Sequence, residues 1–421
     1  ASLFKGHIKS CSFCSMSSTI RLVNQPNRVF RNNFFESSLV FKILTGNPEC
    51  WLTSLIVEDM EQNEHDLICP LNNEAESKDS FLGKIKIGDE DKGNAEKLRH
   101  ILWNYRDVFS GNKRDLGCAG IKHKIVTVNH SPIALKPRRI PQALESQVDK
   151  QVKQMLDNSI IRESTSPWSF PLVVVRKPNG DLRLCVDYRK LNEITRRPIY
   201  PIPESRTIFD TLEGNQNFTS LDLSSGYHQV PMEEEDKAKT AFSTRRGQFE
   251  FNRMPFGLCG APATFQRIMN VILKDQVWQK CVIYLDDVLI FGRTVEEHNE
   301  RLIEVLEQFR KAGMKLSPSK CVFSKTQIKY LGHIISEKGI ATDPDKIKSI
   351  VKWSTPQCVD EVHSFVGLCN YYRAFIPNFS SIIEPLQRII TSKKLKETEK
   401  RRVICAVKER VSECSNIDIT Q

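Results

Sequence analysis

The feature that most restricts the fold is a pair of adjacent acidic residues, Asp286 and Asp287, set between two short apolar runs. The runs, at residues 282–284 and 288–291, have the length of buried strands. Two neighbouring carboxylates repel each other and resist burial, so we place them at the turn of a hairpin. There they are either ordinary turn residues in contact with solvent or ligands of a hard cation such as Mg²⁺, which prefers carboxylate oxygens.

A second acidic strand end supports the cation-site interpretation. Residues 218–223 alternate as a strand that carries Asp222 near its end. If this strand lies beside the hairpin, its carboxylate joins the other two around a pair of cations roughly 3.5–4 Å apart, which clamps both oxygens of a phosphoryl displacement. Such a reaction needs little more from the protein than positioning and positive charge. The adjacency of the strands is a hypothesis that the sequence cannot test.

A second hairpin carries the positive charge that this chemistry needs. Residues 170–175 and 182–186 are predicted strands, and the Pro-Asn-Gly-Asp sequence between them is a strong turn signal. Arg183, together with Arg176 or Lys177, flanks the turn. Further along, Pro262 is predicted to begin a helix, Thr294 and Glu297 form a capping box, and Gly313 is a helix stop.

Composition excludes several classes of protein. The chain has 421 residues, 61 of them Lys or Arg and 51 Asp or Glu, so its net charge of +10 suits a nucleic-acid partner without requiring one. No apolar run approaches the ~20 residues of a membrane span, and no secretory signal is visible. The 13 cysteines do not pair by spacing. Cys11 and Cys14 form one CxxC with only His7 nearby, which is too few ligands to favour zinc.

Seven blocks of residues, in order, carry a resemblance to a known family. They are SPWSFPLVVVRKPNGDLRLCVDYRKLN, LDLSSGYHQVPM, KTAFSTRRGQFEFNRMPFGLCGAPATFQ, YLDDVLIFGRT with EEH, KCVF, YLGHIIS and FVGLCNYYRAFIPNFS. The stretch 164–391 that contains them resembles the reverse transcriptase of gypsy-type LTR retrotransposon Pol polyproteins. The resemblance implies an α+β right-hand polymerase of fingers, palm and thumb, with an antiparallel palm sheet that carries the catalytic carboxylates.

The resemblance also implies roles for individual residues. The catalytic residues would be Asp222, Asp286 and Asp287, which would hold metal together with the backbone oxygen of Leu223. Tyr227 would act as an aromatic gate against a ribose 2′-hydroxyl. The other expected nucleotide contacts are Arg176, Lys177, Arg183, Gln229, Phe256, Gly257 and Lys320. The expected primer or template contacts are Tyr284, Leu331, Gly332 and His333.

The same resemblance implies cofactors, partners, location and domain boundaries. We expect two Mg²⁺ ions, with Mn²⁺ as a substitute, an RNA or DNA template with a primer, dNTP substrates and no membrane; the oligomeric state is not predicted. We expect a cytoplasmic, particle-associated enzyme with a nuclear phase, not a secreted one. The predicted domains are an N-terminal linker with little regular structure (1–95), fingers and palm (96–335), a thumb-like helical segment (336–392) and a charged tail (393–421).

Residues 1–95 lack a protease signature, and the resemblance ends near Thr391, where an RNase H is expected in this family. We therefore expect a truncated copy without protease, RNase H or integrase. Two alternatives to a polymerase stay open at this point. One is a folded, inactive remnant that still binds nucleic acid; the other is an assembly role for the terminal segments.

Overall fold

Three β-sheets, with helices or another sheet packed against them, form the core of this computed structural model. It describes residues 77–88, 92–111, 115–176, 180, 182–356, 358–392, 404–405 and 407–409. The CxxC pair Cys11 and Cys14, the expected phosphate contact Lys177 and most of the expected tail lie outside these residues. Within the same ranges, none of the helices has both the length and the apolar character to cross a membrane.

The strands are β1 (Lys86–Ile87), β2 (Ile161–Glu163), β3 (Phe170–Arg176), β4 (Leu182–Val186), β5 (Asn217–Asp222), β6 (Phe242–Thr244), β7 (Gly247–Phe251), β8 (Cys281–Tyr284), β9 (Asp287–Gly292), β10 (Val322–Lys325), β11 (Gln327–Tyr330), β12 (His333–Ser336) and β13 (Gly339–Thr342).

The α-helices are α1 (Lys78–Gly83), α2 (Lys92–Asn104), α3 (Gln142–Asp157), α4 (Arg189–Ile194), α5 (Ser205–Leu212), α6 (Glu234–Lys237), α7 (Ala261–Ile272), α8 (Val295–Lys311), α9 (Pro344–Val351), α10 (Val359–Tyr371) and α11 (Phe379–Ser392). The predicted helix signals are confirmed. Pro262 lies in the first turn of α7, the Thr294 hydroxyl accepts from the Glu297 amide in α8 at 3.2 Å, and Gly313 follows α8 with φ +65°.

The central sheet has the strand order β1-β10-β5-β9-β8, and all its pairs are antiparallel except β1 with β10. Its middle strands are apolar at successive positions because both faces are covered. Ile283, Val288 and Ile290 face the main core, which also contains residues of α7 and α8. Val282 and Leu289 face a separate cluster built with α5 and the three-stranded sheet β11-β12-β13. Side chains alternate across a strand, so a continuous apolar run fills two cores at once.

The hairpin sheet has the order β2-β7-β6-β3-β4 and contains the predicted hairpin of β3 and β4. Its strands pair antiparallel, apart from β3 with β6. Leu172 and Val186, which are paired in register near the base of the hairpin, are buried. Val175 and Arg176, towards the tip, are exposed, so the hairpin projects its basic end from the core.

The helices α9, α10 and α11 form a separate apolar cluster, the C-terminal helical cluster, that includes Ile350, Phe365 and Leu386. Ile404 and Val407 are buried in the same cluster, at 1% and 0% exposure. These two positions lie in the segment expected to be a charged tail, so the C-terminal helical cluster extends past residue 392. Ile404 and Val407 are three residues apart, a spacing that places both on one face of a helix, and the overall charge of the segment does not reveal this pattern.

The expected N-terminal linker likewise includes folded residues at its C-terminal end. Phe81 of α1 is 3% exposed and packs edge-on against Phe109, with ring centroids 5.4 Å apart. Lys86 and Ile87 of β1 pair in parallel with Val322 and Phe323 of β10. The folded region therefore begins before residue 95, because the edge of the central sheet takes up a short strand from this segment.

Candidate active site

Asp222 and Asp287 are direct partners in neighbouring antiparallel strands, at the ends of β5 and β9. Residues directly opposite each other lie on the same face, with Cβ atoms about 4.5–5.5 Å apart. Asp286 lies one residue before Asp287 in the turn that joins β8 to β9. The strand adjacency that the sequence left as a hypothesis is therefore present, and it unites carboxylates that are distant along the chain.

The turn itself is strained and is held by a buried glutamine. Leu285 has φ +56°, a backbone conformation that side chains other than glycine rarely adopt. Its amide donates to Oε1 of Gln266 at 2.7 Å, and the Gln266 Nε2 donates to the Ile283 carbonyl at 3.4 Å. Gln266 lies on α7 and is fully buried. One side chain thus bonds the end of β8 and the first residue of the turn, and it holds the backbone directly before Asp286.

The carboxylates repel one another, and a lysine partly compensates them. Burial and the charges of Asp286 and Asp222 raise the pKa of Asp287 to about 6, an effect that Lys320 opposes. The Lys320 ammonium donates to Oδ1 of Asp222 at 2.9 Å. The Lys320 side chain is 62% exposed, so it can leave this position when another cation arrives.

These residues fit a divalent metal only in part as they stand. No group of three or more acidic, histidine or cysteine side chains in the described ranges is arranged to hold a metal ion. The expected three-carboxylate site is thus not preassembled: register brings Asp222 and Asp287 together, while Asp286 stays in the turn. Hard oxygen donors, mutual repulsion and a lysine beside them nevertheless match a Mg²⁺ site that is completed by substrate phosphates. Leu223, the expected backbone ligand, follows Asp222 and bridges to Leu316.

An aromatic stack connects the carboxylates to the basic hairpin. The ring of Tyr227 stacks on the ring of Phe256, with centroids 5.1 Å apart. The guanidinium carbon of Arg183 lies over the Phe256 ring, 4.8 Å from its centroid. Burial and the nearby charge of Asp286 raise the pKa of Tyr227. Tyr227, Phe256 and Arg183 were predicted nucleotide contacts, and the structure brings them together beside the carboxylates. Arg176 ends β3 on the same hairpin and is exposed.

Gly257 adopts φ +98°, and a Cβ there would lie 3.3 Å from the Val186 carbonyl. The loop around it is held by Asn192 of α4, the helix that follows β4 in the chain. Its Nδ2 donates to the Gly257 carbonyl at 2.8 Å, and its Oδ1 accepts from the Cys259 amide at 2.9 Å. Asn192 was not predicted as a site residue, although its place at the end of the first family block was a signal for it.

The expected nucleotide contact at Gln229 is corrected by its surroundings. Gln229 is fully buried, and its Nε2 donates to the carbonyls of Ser224 and Lys315 at 2.9 and 2.8 Å. Its Oε1 accepts from the Lys315 amide at 2.8 Å. With its amide engaged on backbone groups, Gln229 cannot reach a nucleotide. It joins the loop after Asp222 to the segment that precedes β10, because a buried amide must satisfy its hydrogen bonds locally.

Three of the four expected primer contacts lie at the junction of β11 and β12, and the fourth, Tyr284, ends β8. Leu331 and Gly332, here called the 331–332 turn, have φ +47° and +72°. His333 is 4% exposed, and its Nδ1 bonds to the Leu331 carbonyl at 2.9 Å. Tyr284 pairs with Asp287 across the acidic hairpin and belongs to the same apolar cluster as Leu331. The expected contact at His333 is corrected by this burial, because the buried ring cannot itself contact a duplex.

Tyr330 is a residue that the sequence reasoning missed. Its hydroxyl donates to the backbone carbonyl of Asp287 at 3.3 Å, and burial raises its pKa well above the ordinary value. The only signal was its position next to the 331–332 turn. It joins the two groups of expected site residues directly.

Comparison with known proteins shows similarity to reverse transcriptases and retrotransposon polyproteins. Residues 175–335 match the family model "Reverse transcriptase (RNA-dependent DNA polymerase)". The chain is 40% identical over 314 residues to the Pol polyprotein from transposon 297 of Drosophila melanogaster, covering 73% of this chain and 30% of that protein. It is 35% identical over 344 residues to the polyprotein from transposon gypsy of the same organism, covering 80% and 32%. The chain thus spans about a third of the length of these relatives.

Solved structures show the same fold. The foamy viral protease-reverse transcriptase in complex with double-stranded DNA has a TM-score of 0.73 and 24% identity, with 80% of this chain and 59% of that chain covered. The complex of the foamy viral enzyme with an RNA/DNA hybrid has a TM-score of 0.71 and 24% identity, with 80% and 45% covered. The α+β right-hand polymerase fold predicted from the sequence is confirmed. With this fold and these similarities, the chain contains a reverse transcriptase domain over residues 175–335 and is similar to part of the Pol polyproteins of retrotransposons.

Proposed function

We propose that this domain is an RNA-directed DNA polymerase that adds deoxynucleotides to a primer 3′ end. The observation that carries the proposal is the register pair of Asp222 and Asp287, with Asp286 in the adjoining turn. Side chains from distant segments are thereby set at one sheet end, next to an aromatic stack and an arginine. Few arrangements other than phosphoryl transfer need carboxylates and cations so placed.

Asp222, Asp286 and Asp287, with the backbone oxygen of Leu223, would hold two Mg²⁺ ions, and Mn²⁺ would substitute for them. When bound, the ions supply charge neutralisation at the reacting phosphate and lower the pKa of the attacking hydroxyl. The protein's own contribution is to hold the carboxylates in place through Gln266 and the strand register. Burial and like charge raise the pKa of Asp287 and so disfavour its ionised form. A cation that enters the site would offset these effects and favour ionisation.

The nucleotide side of the site is formed by the aromatic stack and the basic hairpin. Arg183, and Arg176 or Lys177, would contact the triphosphate, while Phe256 and Gly257 would border the base and sugar. Tyr227 would exclude a ribose 2′-hydroxyl, because its ring is held between Phe256 and Phe265 and cannot move aside freely. Lys320, beside Asp222, would be released by an arriving cation and could then donate a proton to leaving pyrophosphate.

The primer side is formed by Tyr284 and the 331–332 turn, which Tyr330 connects to the Asp287 backbone. The template is RNA or DNA in this proposal; the foamy viral relatives are solved with double-stranded DNA and with an RNA/DNA hybrid. A cytoplasmic, particle-associated location with a later nuclear phase belongs to the same proposal and rests on the similarity to retrotransposon Pol polyproteins.

The test is primer extension by the purified protein on an oligo-dT primed poly-rA template, with a DNA template of equal length in parallel. We expect incorporation of dTTP in Mg²⁺ that is lost in Asp286→Asn and kept in Asp275→Asn, which removes an exposed carboxylate after α7. Binding of the duplex without extension in either metal would instead identify an inactive remnant. Equal incorporation by wild type and Asp286→Asn would overturn the proposed site.

A further inference from the structure

Two tyrosine hydroxyls from the C-terminal helical cluster bond to both carbonyls of the 331–332 turn. Tyr371, the last residue of α10, donates to the Leu331 carbonyl at 2.5 Å. Tyr372, the next residue, donates to the Gly332 carbonyl at 2.9 Å. A two-residue turn with both residues at positive φ has a fixed shape, so bonds to both of its carbonyls fix its position relative to α10 as well.

An aromatic cluster around His333 supports these bonds. The His333 ring lies 5.2 Å from Tyr371, 5.4 Å from Tyr372 and 4.8 Å from Phe209, measured between ring centroids. Its Nδ1 carries the proton toward the Leu331 carbonyl, because a carbonyl oxygen can only accept. The Leu331 carbonyl therefore accepts from His333 and from Tyr371 together.

The same segment contacts the catalytic pair at its other end. Tyr330, directly before the turn, donates to the backbone carbonyl of Asp287. Hydrogen bonds therefore run from Asp287 to Tyr330, and from the adjoining turn to Tyr371 and Tyr372. A displacement of α10 would move the turn relative to the carboxylates unless these bonds broke.

Packing alone does not explain the hydroxyl groups. Tyr371 is 49% exposed, so water is available as a hydrogen-bond partner for its hydroxyl. The hydroxyl therefore does not need the Leu331 carbonyl in order to be satisfied. Phenylalanine would preserve the ring contacts with His333 and with the neighbouring Tyr372. What phenylalanine would lose is the directional bond that sets where the turn lies.

We propose that Tyr371 and Tyr372 are positioning residues: their hydroxyls couple the placement of α10 to the 331–332 turn, and so align the primer end with Asp222 and Asp287. The proposal rests on the proposed function, since it assigns the turn to the primer. It predicts that loss of the hydroxyls shortens the residence of a primer–template duplex while the use of dNTP is little changed.

The test compares Tyr371→Phe, Tyr372→Phe and the double variant with wild type and with Tyr188→Phe. Tyr188 is a matched control, because its hydroxyl donates to the Thr240 carbonyl at 2.8 Å in the hairpin-sheet region, away from the turn. Three measurements are made: dissociation of a fluorescent primer–template duplex without dNTP, amide hydrogen exchange at residues 330–334, and extension in the presence of a trap for released enzyme.

We expect each single variant to shorten duplex residence about three- to tenfold, the effect of one lost hydrogen bond, and to speed exchange at residues 330–334. The DNA products made in one binding event should be shorter than those of wild type, and the KM for dTTP should stay within about twofold. Tyr188→Phe should match wild type in duplex residence and in amide exchange. Thermal unfolding within a few degrees of wild type shows that the variants fold.

Residence and exchange equal to wild type in the double variant would overturn the inference. A larger change in the KM for dTTP than in duplex residence would also overturn it, because the turn would then serve the nucleotide. If wild type binds the duplex but extends no primer, the proposed function fails, and residence and exchange still decide the coupling. A wild type that binds no duplex would overturn both.

Discussion

The Lys320 ammonium lies 2.9 Å from Oδ1 of Asp222, where an internal cation partly neutralises the acidic site. A metal ion that binds Asp222 must displace it. The ion pair joins a residue after α8 to the end of β5. The lysine ammonium and a metal ion therefore compete for the same carboxylate, and this competition can be measured.

Replacement of Lys320 by methionine should tighten Mg²⁺ binding about two- to fivefold in the absence of nucleic acid. The reason is that a competing ion pair of this exposed kind is worth about 0.2–1 kcal/mol, and that a positive charge is removed from the site. Calorimetric titration with Mg²⁺ alone measures the change. Lys190→Met, which breaks the exposed pair with Glu193 at 2.9 Å, is the control and should leave Mg²⁺ affinity unchanged. Weaker binding in Lys320→Met would show that the lysine supports the site instead.

Asp287→Asn should raise the free energy of unfolding of the metal-free protein by about 1–2 kcal/mol at pH 7–8. The pKa of Asp287 is raised from 3.8 to about 6 in the folded protein. The contribution of this carboxyl to the free energy of unfolding is therefore fully present below about pH 4 and is lost as the pH rises through 6. The value is reduced from the full linkage because the group is partly solvated. Urea unfolding of both proteins from pH 4 to pH 8 should show a gain that grows with pH. A gain that is constant across this range would contradict the electrostatic explanation.

Replacement of Gln266 by methionine should lower primer extension by tenfold or more while the protein stays folded. The Leu285 amide would lose its 2.7 Å partner, and an unsatisfied backbone donor costs about 1–3 kcal/mol. The strained turn would then relax and Asp286 would shift. Gln151→Met is the matched control, since its Nε2 bonds to the Leu182 carbonyl at 2.9 Å in the region of the basic hairpin. Activity equal to wild type in Gln266→Met would show that the turn keeps its shape unaided.

The protein should lose stability as the pH falls from about 6.5 towards 4. Burial lowers the pKa of His298 from 6.5 to about 4, and its Nε2 bonds to the Thr219 hydroxyl at 2.8 Å in the core. The unfolded chain binds the proton that the folded chain refuses, so this histidine contributes stability above pH 6.5 that is lost on acidification. The expected loss is on the order of 2 kcal/mol at pH 5. His298→Gln should show a shallower decline between pH 7 and pH 5 in urea unfolding, and an unchanged slope would contradict this.

The local elements were predictable because their signals lie within a few residues of one another. The acidic hairpin, the basic hairpin and the capping of α8 follow from apolar runs, turn residues and caps. The basic residues of the hairpin were singled out from the turn pattern, whereas Tyr227, Phe256 and Gly257 were named as nucleotide contacts only through the family resemblance. Gln229 shows the limit of that approach, because its position near Tyr227 in the chain did not reveal that its amide is engaged on the Ser224 and Lys315 backbone.

The sequence by itself determined which residues are acidic, apolar or turn-forming, and hence that Asp286 and Asp287 lie at a hairpin between buried strands. Only the tertiary structure decided that Asp222 pairs with Asp287, that Lys320 reaches Asp222 from 98 residues away, and that Tyr371 bonds to Leu331 across 40 residues. The physical reason is that the local pattern of apolar and polar residues indicates only which side chains are buried and which face water. Strand order, register and hydroxyl partners depend on how separate segments pack together, and no local period encodes that.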